Sequence, residues 1–125
     1  MHELSVTQEI VDTIEDARRG AGAHLIVTAV FLKIGRFTAV VPDYLRHYFE
    51  MLTEGTPLHG AALHIELVPI VAQCRACGAE FLSESPVMVC PHCEAADADV
   101  LQGRELLVES IEVDEPDSPR EEETR

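Results

Sequence analysis

The four cysteines are the residues of this 125-residue chain best equipped for chemistry, and all lie between Cys74 and Cys93. They read C-R-A-C-G and then V-C-P-H-C, two C-x2-C pairs with twelve residues between them. Two thiolates separated by two residues can grip one ion from a single tight turn. Gly78 follows the first pair and can take the positive φ that such a turn often needs, while Pro91 stiffens the second turn. Four thiolates closing a tetrahedron is the arrangement of a structural zinc site, so Cys74, Cys77, Cys90 and Cys93 are expected to hold Zn2+. Two disulfides or four free thiols are the plainer alternatives, and a cytosolic chain rarely holds disulfides. Iron in a rubredoxin-like centre is the chemical rival, because the same ligands suit both metals.

A second candidate is the opening Met1-His2-Glu3. A free α-amine, the His2 amide nitrogen and the His2 imidazole can converge on one ion through adjacent chelate rings. The Glu3 amide or carboxylate offers another donor. Nitrogen-rich planar donation favours nickel(II) or copper(II). The first N–H groups of a helix have no intrahelical partner, which softens the cost of giving up an amide proton there. The plain reading is a frayed terminus carrying a surface histidine. His24, His47, His59 and His64 are expected to be solvated or hydrogen-bonded, as is His92, although it lies inside the second C-x2-C, where it could tune the cluster or add a ligand. The alternative to an N-terminal metal site is nickel taken by His92 and the cysteines. Enzyme readings fare poorly: there is no G-x-S-x-G, no Gly-rich phosphate loop and no His–Cys pairing outside the cluster.

The elements that must position these residues are legible as periodicities. Leu4 to Arg19 reads as a helix with Val6, Ile10, Ile14 and Ala17 on its apolar stripe, widened by Leu4 and Val11. Ser5 and Gln8 match a capping box, and Arg18 and Arg19 stand where the helix dipole favours cations. His24 to Ile34 reads as a strand with Ile26, Val30, Leu32 and Ile34 on one face and Thr28 between them. Pro42 suits the first turn of a second helix, buried through Leu45, Tyr48, Phe49 and Leu52 and ended by Gly55. Ala61 to Val68 is a second strand whose apolar face is Ala61, Leu63, Ile65 and Leu67. Pro69 leads into the cysteine module, where Glu80 to Leu82 and Pro86 to Val89 are short strands at most. Gly103 marks the return, and Leu106 to Val113 is a third strand of the main sheet.

The fold class expected is therefore α+β: two helices on a three-stranded sheet, with an inserted zinc-ribbon-like module. Residues 1–69 plus 103–113 form one unit, 70–102 the metal module, and 114–125 a disordered acidic tail with too little apolar surface to order itself. Hydrophobic residues make up 46% of the chain, enough for a core, and with no Trp that core is aliphatic. A formal net charge of −14 argues against phosphate-backbone binding, so no nucleic acid is expected, and it suits cationic partners. No stretch is long and apolar enough to span a membrane, and the N-terminus lacks a signal-peptide pattern, so a cytoplasmic protein is expected.

Taken together, M-H-E-L-S, I-G-R-F-T-A-V-V-P-D-Y-L-R-H-Y-F-E, L-H-I-E-L-V-P, the two C-x2-C pairs and G-R-E-L-L-V-E-S-I-E-V resemble the HypA/HybF family. These are nickel metallochaperones of nickel–iron hydrogenase maturation. The resemblance runs from Met1 to about Val113, and the combination is specific where the cysteines alone are not. It implies a carrier of Ni2+, not an enzyme. Nickel would be bound through Met1, His2 and Glu3, with Asp43 at an acidic position near that site, and zinc through Cys74, Cys77, Cys90 and Cys93. It also implies a partner GTPase of the nickel-delivery step and a client, the hydrogenase large-subunit precursor. Some relatives have Gly after the second C-x2-C; Glu94 stands there in this chain, which is expected to loosen the turn without removing a ligand. The alternatives are a zinc-ribbon protein-interaction module with no nickel role and a rubredoxin-like electron carrier.

Overall fold

The computed structural model describes residues 3–116. The first helix, α1 (Glu3–Ala21), buries Val6, Thr7, Ile10, Ile14 and Arg18. The stripe thus runs at strict four-residue spacing from Val6 to Arg18, and the expected Ala17 is exposed. Arg18 can occupy a buried place because its guanidinium is fully used. It donates to the Glu15 carboxylate at 3.0 and 2.6 Å and to the Ala23 and Leu25 carbonyls at 2.7 and 2.9 Å. It ties the end of α1 to the loop that follows through hydrogen bonds, rather than resting on the dipole contact alone. The expected capping box does not form, since the helix already runs from Glu3 and Gln8 instead donates to Asp12 at 3.0 Å.

The first strand, β1 (Ile26–Gly35), begins two residues later than expected and carries a register shift between Val27 and Ala29. The irregularity at Thr28 moves Val27 into the core beside Val30, Leu32 and Ile34, while Ile26 is only half-buried. A bulge shifts the alternation by one residue, which no reading of strict period two anticipates. A short 3-10 turn, Arg36–Thr38, leads to the second helix, α2 (Pro42–Thr53). Pro42 opens this helix, where a missing N–H costs nothing. Leu45 and Phe49 are buried, Tyr48 and Leu52 half-buried, and Gly55 follows with φ 77°.

The second strand, β2 (Ala62–Val68), lies parallel to β1, and the last, β6 (Leu106–Asp114), lies antiparallel on its other side. The sheet order is β2-β1-β6. Along β2 the apolar alternation holds for Leu63 and Ile65 but ends at Leu67, which is exposed, while Val68 turns inward. The two helices and one face of this sheet enclose a core of Ile10, Ile14, Val30, Leu32, Leu45 and their neighbours. Each such buried aliphatic side chain contributes about 1.5–3 kcal/mol.

Residues 70–102 contain a second sheet of order β4-β3-β5, from β3 (Ile70–Cys74), β4 (Glu80–Ser83) and β5 (Ala98–Gln102), all antiparallel. Strands β3 and β5 were not expected from sequence, and Pro86 to Val89 forms no strand. Where the two sheets meet, the chain crosses itself closely. The Gly35 N–H donates to the Glu105 carbonyl at 2.6 Å and the Phe37 N–H to the Gly103 carbonyl at 2.8 Å. A Cβ on Gly35 would lie 1.9 Å from the Gly103 oxygen, so only glycine fits. No helix among the described residues is long and apolar enough to cross a membrane. Of the expected acidic tail, Asp114 still belongs to β6, and residues 117–125 lie outside the described residues.

Candidate metal centre

Two turns of one design present the cysteines. In the first, the Gly78 N–H donates to the Cys74 carbonyl at 2.9 Å, and the Cys74 N–H donates to the Ala79 carbonyl at 2.9 Å. In the second, Glu94 N–H to the Cys90 carbonyl (2.8 Å) and Cys90 N–H to the Ala95 carbonyl (2.9 Å) repeat the pattern. Both turns need a left-handed residue after the second cysteine: Gly78 has φ 80° and Glu94 φ 67°. The first is free for glycine; the second costs about 1 kcal/mol for a residue with a Cβ. The sequence signal for this likeness is the repeated C-x2-C-x-A.

The four Sγ atoms lie within 4.8 Å of one another, and no other group of three or more His, Cys, Asp or Glu side chains converges in this way among the described residues. Cys74 and Cys90 are each 1% exposed and pack with Ala72 and Phe81, while Cys77 and Cys93 face solvent. Backbone N–H groups point at the two buried sulfurs, from Cys77 to Cys74 at 3.4 Å and from His92 to Cys90 at 3.3 Å. The Cys77 N–H thereby lowers the Cys74 thiol. Burial pushes Cys90 up, but the N–H groups of Cys93 and His92 outweigh it and bring it down to about 6. At Cys93 the Ala95 N–H acts downward, yet the Cys74 sulfur and burial win and raise it to about 12. Four thiols this close cannot all ionise by themselves; a bound cation removes that conflict. The donor set therefore fits a metal such as zinc, and a metal would neutralise charge and fasten the two turns together.

One further contact ties the turns together. Arg75, between the first two cysteines, donates to Asp97 at 2.9 Å and to Asp99 at 2.9 and 2.5 Å. Its own N–H donates to the Asp97 carbonyl at 2.9 Å. Sequence reasoning missed this clamp because the partners are more than twenty positions apart and only the fold pairs them.

At the other end of the chain, Met1 and His2 lie outside the described residues. Glu3 opens α1, and its carboxylate accepts the Val41 N–H at 3.2 Å. Asp43 stands in the first turn of α2, two positions beyond. The remaining histidines are accounted for individually: His24 reaches Glu115 at 3.1 Å, His64 stacks on Phe31 at 4.6 Å between centroids, and His47 packs edge-on against Tyr48. His59 and His92 are exposed.

The sequence model of the HypA family, described as hydrogenase/urease nickel incorporation metallochaperone, matches residues 1–113. The hydrogenase maturation factor HypA of Desulfatibacillum aliphaticivorans is 40% identical over 121 residues, covering 97% of this chain and 93% of its own. That of Trichormus variabilis is 40% identical over 115 residues, covering 92% and 97%. Among solved structures, the nickel metallochaperone HypA from Helicobacter pylori superposes with a TM-score of 0.64 at 25% identity, over 92% of this chain and 99% of that one. Fold, four-cysteine centre and near full-length likeness converge: this chain belongs to the HypA family of nickel-incorporation metallochaperones, which are maturation factors and not enzymes.

Proposed function

We propose that this chain carries one Ni2+ ion on its N-terminus and passes it on during nickel–iron hydrogenase maturation, with Zn2+ held permanently by Cys74, Cys77, Cys90 and Cys93. The observation that carries the nickel reading is the bond from the Val41 N–H to the Glu3 carboxylate. It fastens Glu3, the residue that follows Met1-His2 in the chain, to the start of α2. The α-amine, the His2 amide and the His2 imidazole supply nitrogen donors suited to nickel(II). In this reading Glu3 is held by Val41 and supports the site, with its amide still free to donate; Asp43 contributes acidity nearby. Residues 1–69 with 103–113 form the nickel-carrying unit and residues 70–102 the zinc module.

Cargo held at a chain end by few donors is accessible to a receiving protein. A GTPase of the nickel-delivery step and the hydrogenase large-subunit precursor are the partners proposed, acting in the cytoplasm. Calorimetric titration of nickel into the zinc-loaded, untagged protein tests the reading. One equivalent of nickel taken up with zinc retained is expected; displacement of zinc by nickel at the cysteines overturns it.

A further inference from the structure

The four sulfurs differ in access in a way that metal binding alone does not require. Cys74 and Cys90 are each 1% exposed, whereas Cys77 and Cys93 are open to solvent. The Cys74 and Cys93 sulfurs lie 3.5 Å apart, and those of Cys77 and Cys90 lie 3.7 Å apart. Each of these pairs joins one exposed sulfur to one buried sulfur, and each spans the two turns. We propose that the centre is also a modification site for hydroperoxides, and that oxidation joins cysteines across the turns, Cys93 to Cys74 and Cys77 to Cys90, with release of the metal. The inference rests on the zinc reading of the cluster.

The chemistry balances with the hydroperoxide as sole oxidant. The exposed Cys93 sulfur, a thiolate while it holds the metal, attacks one peroxide oxygen: an S–O bond forms, the O–O bond breaks, and hydroxide leaves. The sulfur has lost two electrons and the peroxide has gained them, giving a sulfenic acid. The buried Cys74 thiolate then attacks that sulfur; the S–S bond forms, the S–O bond breaks, and a second hydroxide leaves. Two thiolates remain, too few to keep a tetrahedral ion, and Zn2+ departs to water. A second equivalent repeats the sequence at Cys77 and Cys90.

The geometry favours these pairings. A disulfide needs its sulfurs at about 2.0 Å, so the paired sulfurs must close by roughly 1.5 Å. The Arg75 clamp on Asp97 and Asp99 spans from the first turn to the strand after the second. That clamp, together with the β3–β5 ladder, holds the turns face to face while the ion leaves. The N–H groups of Cys77 and His92, aimed at the Cys74 and Cys90 sulfurs at 3.4 and 3.3 Å, fix those two buried atoms in place opposite their exposed partners.

The test uses the full chain loaded with zinc. Metal analysis before oxidant is added reads the zinc assignment separately, so a chain that holds no zinc fails that reading and is recognised as such. Hydrogen peroxide is then added, released zinc is followed with a chromogenic chelator, and free thiols are alkylated. Digestion after Arg75, Glu80 and Glu84 puts Cys74, Cys77 and the Cys90–Cys93 pair on three separate peptides. The proposal expects loss of all bound zinc, loss of all four free thiols, and one reducible species containing all three peptides. Fragmentation between Cys90 and Cys93 should place Cys93 on the Cys74 peptide. Two separate species, one joining Cys74 to Cys77 and one holding an internal Cys90–Cys93 bond, would overturn it. So would overoxidised cysteines without disulfides, or a fully retained thiol count. The peptide pattern decides the pairing whatever the metal analysis shows.

Discussion

At the second cysteine turn, a carboxylate side chain occupies a backbone conformation that glycine takes freely. Glu94 has φ 67°, and its counterpart in the first turn, Gly78, has φ 80°. Replacing Glu94 with Gly relieves steric cost in the folded turn but adds freedom to the unfolded chain, and the first effect is the larger in the left-handed region. Glu94→Gly should therefore stabilise residues 70–102 by up to about 1 kcal/mol. Hydrogen exchange at the Glu94 and Cys90 amides checks this, and faster exchange in the variant would count against it. A second residue-scale expectation concerns Glu15. Its hydrogen bonds to Arg18 depress its carboxyl below the usual range, with burial acting the other way and Arg19 adding to the depression. A depressed carboxylate contributes stability that is present above its unfolded pKa of about 4.3 and is lost as pH falls through the lower folded value. The melting-temperature gap between the parent and Glu15→Gln should thus be wide at neutral pH and shrink in acid below that point. A gap independent of pH would show that the pair carries no linkage. The convergence of the four cysteines was legible from types and spacing alone. Glu94, expected to loosen the second turn, instead takes φ 67° and keeps the same backbone hydrogen bonds as the first turn, which a glutamate by itself gives no sign of.

At the scale of elements, the helices and the main sheet followed from periodicity because each buries a continuous stripe. Where the structure departs from that pattern, the cause is local. The irregularity at Thr28 trades Ile26 for Val27, and Arg18 enters the stripe by spending its guanidinium on a carboxylate and two carbonyls. Strands β3 and β5 were not legible. Each has only five residues, and β5 pairs with β3 across both cysteine turns, a partner no local pattern indicates. This small sheet buries little: its core consists of Ala72, Cys74, Phe81 and Cys90, with Met88, Ala95 and Ala98 against it. A structural zinc worth about 10–16 kcal/mol of apparent binding free energy exceeds what those side chains can supply. Cys77→Ala should accordingly unfold residues 74–93 while α1 and α2 keep their structure. Limited proteolysis with far-ultraviolet circular dichroism reads both halves of that expectation, and a variant as protease-resistant as the parent across 74–93 would refute it.

For the whole molecule, the proposed function has two metals in two separate places: zinc between the turns of residues 70–102 and nickel at the beginning of the chain. The two sheets share a close crossing at Gly35 and Gly103, but their donors are distinct. In the proposed reading the α-amine anchors nickel, and extending the N-terminus converts that amine to an amide and removes the donor. His2→Ala keeps the amine and removes the imidazole. Both changes precede Glu3, the first residue of α1, and alter none of its buried residues, so folding and zinc content should be unaffected. His92, exposed beside the cysteines, is the test of the opposite view, in which the cysteine end takes nickel. The most direct measurement is nickel affinity, by calorimetry on zinc-loaded protein, for the untagged chain, an N-terminally extended chain, His2→Ala and His92→Ala. The account predicts tight binding by the untagged chain and His92→Ala, and loss of at least about tenfold, some 1.4 kcal/mol, in the other two. Full-strength nickel binding by the extended chain would contradict it.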